Sequence, residues 1–240
     1  MFRSMTGLVV CLLLSSAASG NLLVNGSFET PHVDFFSNIR PGDATLTGWT
    51  VENLPGTTYG VVLTEDYISD HYDGAQCVEL NASQQDVSPW QPFAAGAISQ
   101  TIATIPGREY LVEFAYSAQP NQPGTPNPKQ AELHWDGRSV AELTVTLTDE
   151  TTSNMKWRKH SQILEATGVT TKLRFVGTIP LDDDAGIMID DISLQLLPPR
   201  TVIPEPAGGA LLVMLAGAAC SRRSRSSASH GRKEAKLARN

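Results

Sequence analysis

Short apolar–polar alternations, each cut off by Gly, Pro, Asn or Asp, run through the middle of this 240-residue chain and leave it few folds to choose from. Leu143, Val145 and Leu147 alternate with Thr144 and Thr146, and Leu173 and Phe175 alternate with Lys172 and Arg174. Tyr110, Val112, Phe114 and Tyr116 share one face of a run that follows the turn pair Pro106-Gly107. Successive side chains of an extended strand point to opposite faces, so period two places the apolar set against a core and the polar set in water. Further strands are predicted over residues 21–24, 49–52, 59–64, 97–103, 131–135, 157–164 and 186–196. No helix longer than two turns and no internal repeat is expected between residues 21 and 200. Pro120, Pro123, Pro126 and Pro128 stiffen one exposed loop. The predicted fold class is all-β, an antiparallel jelly-roll β-sandwich.

The two ends have a different character. Arg3 supplies a positive start, residues 8–14 are apolar, and Ala18-Ser19-Gly20 offers the small residues a signal peptidase reads. Residues 1–20 are therefore read as a signal peptide, cut before Asn21. At the other end Pro204-Glu205-Pro206 precedes an uncharged apolar run, residues 207–220. Behind it come Arg222, Arg223, Arg225, Arg232, Lys233, Lys236 and Arg239, opposed only by Glu234. Basic residues that follow an apolar segment stay on the cytoplasmic side, which puts the body of the chain outside. Fourteen apolar residues fall short of the ~20 that span a bilayer, a length that by itself suggests an interfacial segment or a weak anchor. Residues 201–240 resemble the PEP-CTERM sorting signal of bacterial envelope proteins. That resemblance implies a membrane protease, exosortase, that recognises Pro204, Glu205 and Pro206 and removes the anchor. The expected location is the envelope, outer surface or extracellular matrix of a bacterium.

About 180 residues remain between the two ends, enough for one domain with a sizeable core. They carry 10 Lys and Arg against 23 Asp and Glu, a net charge of −13 that the basic tail hides in the whole-chain balance of −7. Such acidity argues against nucleic acid as a partner, since phosphates are repelled. Of the three cysteines only Cys77 lies in this part, so no internal disulfide forms, and its strand-like setting makes it a small core residue. The histidines at 32, 71, 134 and 160 show no zinc-ligand spacing, and no Gly-x-Ser-x-Gly elbow or phosphate-cradling loop is present. The chain is read as a non-enzyme.

Four segments in order resemble the family of domains of unknown function DUF642. They are Asn21-Leu22-Leu23-Val24-Asn25-Gly26-Ser27-Phe28-Glu29-Thr30-Pro31, Leu46-Thr47-Gly48-Trp49, Gly96-Ala97-Ile98-Ser99-Gln100-Thr101-Ile102, and Ile189-Asp190-Asp191-Ile192-Ser193-Leu194. The resemblance covers residues 21–197 and implies a galactose-binding-like jelly roll akin to carbohydrate-binding modules. The chain departs from the family at Glu79-Leu80-Asn81-Ala82, and residues 84–93 are an insertion.

Site candidates follow from this frame. Asp190 shares its phase with Met188, Ile192, Leu194 and Leu196, so its carboxylate is expected on the apolar side of the last strand. A buried carboxylate needs a cation or several donors. In related jelly rolls the positions of Glu29 and Asp190 help form a structural Ca²⁺ site, and carboxylates with turn carbonyls suit that ion. The alternatives are an Arg partner, Arg174 or Arg108, or a bulge that turns Asp190 outward. The Asp182-Asp183-Asp184 run is read as a solvated turn. A sugar ring stacks on a flat exposed aromatic, which makes Trp90, Tyr67, Tyr72 and Trp135 the carbohydrate-binding candidates, with Trp49 and Trp157 assigned to the core. The expected function is polysaccharide binding without hydrolysis. A purely structural surface protein and a glycan-active enzyme are the alternatives.

Overall fold

The structure is a computed structural model that describes residues 20–55, 60–65, 70–82, 94–120, 128–178 and 185–200. Residues 1–19 of the segment read as a signal peptide, Tyr67, the insertion with Trp90, the Asp182-Asp183-Asp184 run and the segment read as a sorting signal, with Pro204, Glu205 and Pro206, lie outside the described residues. Thirteen strands and no helix are found among those described. They are β1 (Phe36–Ile39), β2 (Thr50–Glu52), β3 (Val61–Glu65), β4 (Gln76–Glu79), β5 (Asn81–Ala82), β6 (Ala94–Ala95) and β7 (Ala97–Ala103). Then follow β8 (Glu109–Ala118), β9 (Lys129–Trp135), β10 (Arg138–Val145), β11 (Arg158–Glu165), β12 (Thr170–Gly177) and β13 (Ile187–Leu196).

One sheet runs β1-β3-β4-β13-β8-β11 and the other β10-β9-β12-β7-β2, with β5 and β6 as a short pair. Every strand pairing is antiparallel. The alternating residues meet between the sheets as period two requires. Val112 and Phe114 of β8, Val78 of β4 and Leu63 of β3 face Leu133 of β9, Phe175 of β12 and Ile98 of β7, and all are buried. Phe114 meets Phe175 edge-on with ring centroids 5.0 Å apart. Trp49 packs on Phe175 and on Phe28, centroids 6.4 and 5.5 Å away, in the core expected for it. This is an antiparallel jelly-roll β-sandwich, as the alternation predicts.

The first segment corrects one expectation, because residues 21–24 form no strand. They lie beside β13, where the Leu22 amide donates to the Leu194 carbonyl at 2.9 Å and side chains supply further partners. Asn21 Nδ2 donates to the Ile192 carbonyl (3.0 Å), and Asn21 Oδ1 accepts from the Leu194 and Leu23 amides at 2.9 and 3.1 Å. Gln100, nearly buried, takes the Val24 amide at 2.8 Å and gives its own N–H to the Val24 carbonyl at 3.0 Å. Gln76, fully buried, donates to the Phe28 and Pro31 carbonyls and accepts from the Val33 amide. A primary amide offers the donor and acceptor a neighbouring strand would offer, so buried backbone groups stay satisfied without a ladder. Most of the family-signature residues thus build the scaffold.

On the outer face of the five-stranded sheet, Glu52 of β2 joins Arg174 Nε (2.5 Å) and Lys172 Nζ (2.9 Å) of β12 and accepts from the Ser99 hydroxyl of β7 (2.6 Å). Burial by itself would push the Glu52 carboxyl up, but the Ser99, Lys172 and Arg174 donors outweigh it and hold it at about 2. A carboxyl depressed in the folded state stabilises above its unfolded value and loses that contribution as pH falls from about 4.5 to about 2. Glu52→Gln is expected to flatten acid unfolding in that window. At neutral pH it should cost about 1 kcal/mol, because solvent screens a half-buried network. Thermal melts of both chains at pH 7, 4 and 2.5 check this.

Candidate functional site

The arrangement around Asp190 begins with a bulge. In β13, Ile187 pairs with Ala118 and Asp190 with Ala115, but the next partner of β8, Glu113, meets Ser193. Two residues, Asp191 and Ile192, oppose Phe114, and Asp191 adopts a left-handed φ of 48°. One extra residue reverses the parity of the strand. Ile187 and Ile189 before the bulge, and Ile192 and Leu194 after it, all enter the main core. Met188 and Asp190 consequently lie on the outer face of the six-stranded sheet, contrary to the phase read from sequence.

Asp190 is nonetheless fully buried, because the segment from Asp70 to Gln76 folds over it. Its Oδ2 accepts from the Tyr72 and Asp73 amides at 3.0 and 2.9 Å, and its Oδ1 from the Asp191 amide at 2.6 Å. Neither Arg174 nor Arg108 partners it: Arg174 holds Glu52, and Arg108 donates to the Leu197 carbonyl. Glu29 grips the same segment one turn further on, its Oε1 accepting from the Ala75 and Gln76 amides at 2.9 and 3.0 Å. Between the two carboxylates stands Gly74, with φ +65°, and a Cβ there would lie 2.3 Å from Glu29 Oε1. The two acidic signature residues from opposite ends of the domain therefore clamp one loop.

Burial is the largest influence on Asp190 and pushes its carboxyl up to about 7. The three amides oppose that rise, and the neighbouring Asp73 charge adds to it. Asp191 is also raised, by burial first and by Asp73 next, with Lys159 pulling the other way. Asp190 has no surface of its own, so it cannot touch a substrate as an acid or base. Its residual desolvation is the condition a bound cation relieves, and the carboxylates of Asp190 and Glu29 are the donor type a hard cation takes. Among the described residues no three Asp, Glu, His or Cys side chains converge as a ready metal cluster.

The clamped loop presents Tyr72 to solvent, its residue 38% exposed. Trp157 meets that ring edge-on at 6.3 Å, and the Lys159 ammonium lies 4.8 Å over it. Trp157 sits outside the main core and packs on a second small cluster of Cys77, Met155 and Met188. Cys77 is fully buried, as expected of a small core residue. Next to Tyr72, Lys159 and Ser161 of β11, Glu113 of β8, and Asp191 and Ser193 of β13 line a polar cleft. Pairing puts Ser161, Glu113 and Ser193 in one row across three adjacent strands. His160 backs the cleft, stacked on Phe114 at 5.0 Å. An aromatic plate beside fixed hydroxyls, carboxylates and an ammonium can hold a polyhydroxylated ligand by stacking and hydrogen bonds.

Of the sequence candidates, Tyr72 is at this surface, and Glu29 and Asp190 hold its loop. Trp135 is corrected: it is only 6% exposed, packs on Tyr110 at 6.0 Å and donates its indole N–H to the Glu165 carbonyl. Its ring faces belong to the core and are closed to a sugar. Glu113, Lys159, Ser161, Asp191 and Ser193 were missed as a group, because only the order β13-β8-β11 makes them neighbours.

The chain is thus an all-β sandwich domain with a clamped loop and a polar, aromatic-edged cleft on one sheet. It belongs to the family described as protein of unknown function (DUF642), whose model matches residues 21–195. It is 27% identical over 210 residues to halomucin of Haloquadratum walsbyi, a match that covers 82% of this chain and 2% of halomucin. The chain therefore spans about one-fiftieth of that relative's length. Among solved structures it is similar to a family 35 carbohydrate-binding module from Clostridium thermocellum, with 14% identity, TM-score 0.38, and 66% of this chain and 97% of that one covered. It is also similar to a family 61 module in complex with β-1,4-galactotriose, with 18% identity, TM-score 0.39, and 75% and 100% covered. A third likeness is to the CBM22-1 xylan-binding domain of Paenibacillus barcinonensis Xyn10C, with 15% identity, TM-score 0.38, and 75% and 97% covered.

Proposed function

We propose that this chain is an exported module that holds polysaccharide at the Tyr72 cleft without hydrolysing it. The observation that carries the reading is the exposed Tyr72 ring next to a row of hydroxyl and carboxylate groups on rigid strands. Strands fix the polar groups, and the two-carboxylate clamp fixes the ring, so little ordering is left for binding to cost. Calcium fits as a structural ion held by Glu29 and Asp190; it would keep Asp190 ionised and the loop in place. Export rests on the signal-peptide pattern of residues 1–20, cut by signal peptidase, and on exosortase removal of the segment after Pro204-Glu205-Pro206. The seating of Asn21 on β13 supports a cut just before it.

Affinity electrophoresis of the chain through a panel of soluble polysaccharides tests the binding. Retention by at least one glycan, with no new reducing ends, is expected. Tyr72→Ala should weaken that retention about fivefold, the equivalent of about 1 kcal/mol of lost ring contact. Unretarded migration through every gel would favour a purely structural surface protein, and release of reducing ends would favour an enzyme.

A further inference from the structure

We infer that the saccharide held at the Tyr72 cleft carries free, protonated amino groups, as in a de-N-acetylated hexosamine polymer, and is not a polyuronate. The inference rests on the glycan-binding reading and adds the charge of the ligand to it.

Two carboxylates, Glu113 and Asp191, line the cleft, and Asp73 stands beside it on the loop that covers Asp190. Among the described residues lining the cleft Lys159 is the one lysine or arginine, and its ammonium is already placed over the Tyr72 ring. The other polar lining groups are the Ser161 and Ser193 hydroxyls and the His160 imidazole, which is stacked on Phe114 behind the cleft. Glu113 is exposed and Asp191 half-buried, and both draw on the same Lys159 charge, so a ligand covering the cleft would strip water from two carboxylates that share one ammonium. A uronate would bring a further negative charge to that place. A neutral sugar would donate hydroxyls to the carboxylates but leave their net negative charge uncompensated in a drier site. An ammonium on the sugar would compensate the charge through charge-assisted hydrogen bonds, the stronger kind. The surroundings point the same way independently: residues 21–200 carry a net charge of −13, a field that draws a polycation towards the domain and repels a polyanion.

Calorimetry with the whole chain at 0.15 M salt tests the inference with three probes of equal length: a glucosamine pentamer, its fully N-acetylated counterpart and an oligogalacturonate. The glucosamine pentamer is expected to bind at least tenfold more tightly than the acetylated one, and the oligogalacturonate not at all. Asp191→Asn should weaken the glucosamine pentamer about tenfold, and asparagine tolerates the left-handed backbone of the bulge, so the site survives the change. Glu113→Gln, a change at an exposed strand position, should act in the same direction. Asp34→Asn, ahead of β1 at the opposite edge of the same sheet, should leave binding unchanged. Equal or tighter binding of the acetylated pentamer, or any preference for the uronate, overturns the inference while leaving glycan binding intact. A loss with Asp34→Asn equal to that with Asp191→Asn also overturns it, since the attraction is then general. Failure of all three probes, together with no retention on the polysaccharide panel, removes the glycan reading beneath it.

Discussion

A Gly26→Ala chain is expected to melt about 6–12 °C below its parent, the equivalent of about 3 kcal/mol for a domain of this size. The reason lies in how closely the first segment approaches the last strand. A Cβ on residue 26 would stand 2.0 Å from the Ile192 carbonyl oxygen, and that oxygen is backbone in the middle of a sheet, unable to swing aside. The same two residues are joined by the Ile192 amide donating to the Gly26 carbonyl at 2.9 Å. Moving the segment away would lose that bond and the Asn21 bonds to Ile192 and Leu194, and would pull on the fully buried Phe28. Near-ultraviolet circular dichroism melts measure it. A midpoint within 2 °C of the parent's would show that the close approach is not a real constraint.

The second large effect concerns Asp190. Its carboxyl is raised to about 7 in the folded chain from an ordinary value of 3.8. Between those values the folded state keeps a proton that the unfolded chain has released, so stability falls as pH rises through the window. The full loss across the window is on the order of 4 kcal/mol, or about 10 °C in melting midpoint. With a chelator present, the parent's midpoint should drop from pH 4.5 to pH 8 by clearly more than that of an Asp190→Asn chain, which has no such proton to lose. Added calcium should remove most of the difference, because a cation beside Asp190 stabilises the charged form. Superimposable profiles with calcium and with chelator would eliminate the ion from the account.

The sandwich itself was legible because its long strands are amphipathic. The spans read for β7, β9, β11 and β13 match the observed elements to within two residues. β1, with only Ile39 buried, and the two-residue strands β5 and β6 carry no such pattern and were not read. Asp190 shows where pattern reading fails. Met188, Ile192 and Leu194 are all apolar at even spacing, yet the bulge at Asp191 divides them between two clusters on opposite faces. Nothing local announces a left-handed aspartate. Residues 21–24 were misread for a related reason: they are apolar and adjacent to a sheet, but the side chains of Asn21 and of Gln100, far along the chain, take up the hydrogen bonds of Leu23 and Val24. Tyr72 could be picked out from its acidic loop. The cleft beside it depends on which strands become neighbours, and that is a property of the topology.

The position of β13 also has a mechanical consequence. The strand leads to Pro199 from the interior of the six-stranded sheet, between β4 and β8, with eight paired positions on β8 alone. Tension applied along it at Pro199 would run nearly perpendicular to those antiparallel bonds. They would bear the load in shear and share it, where an edge strand pulled outward would unzip one bond at a time.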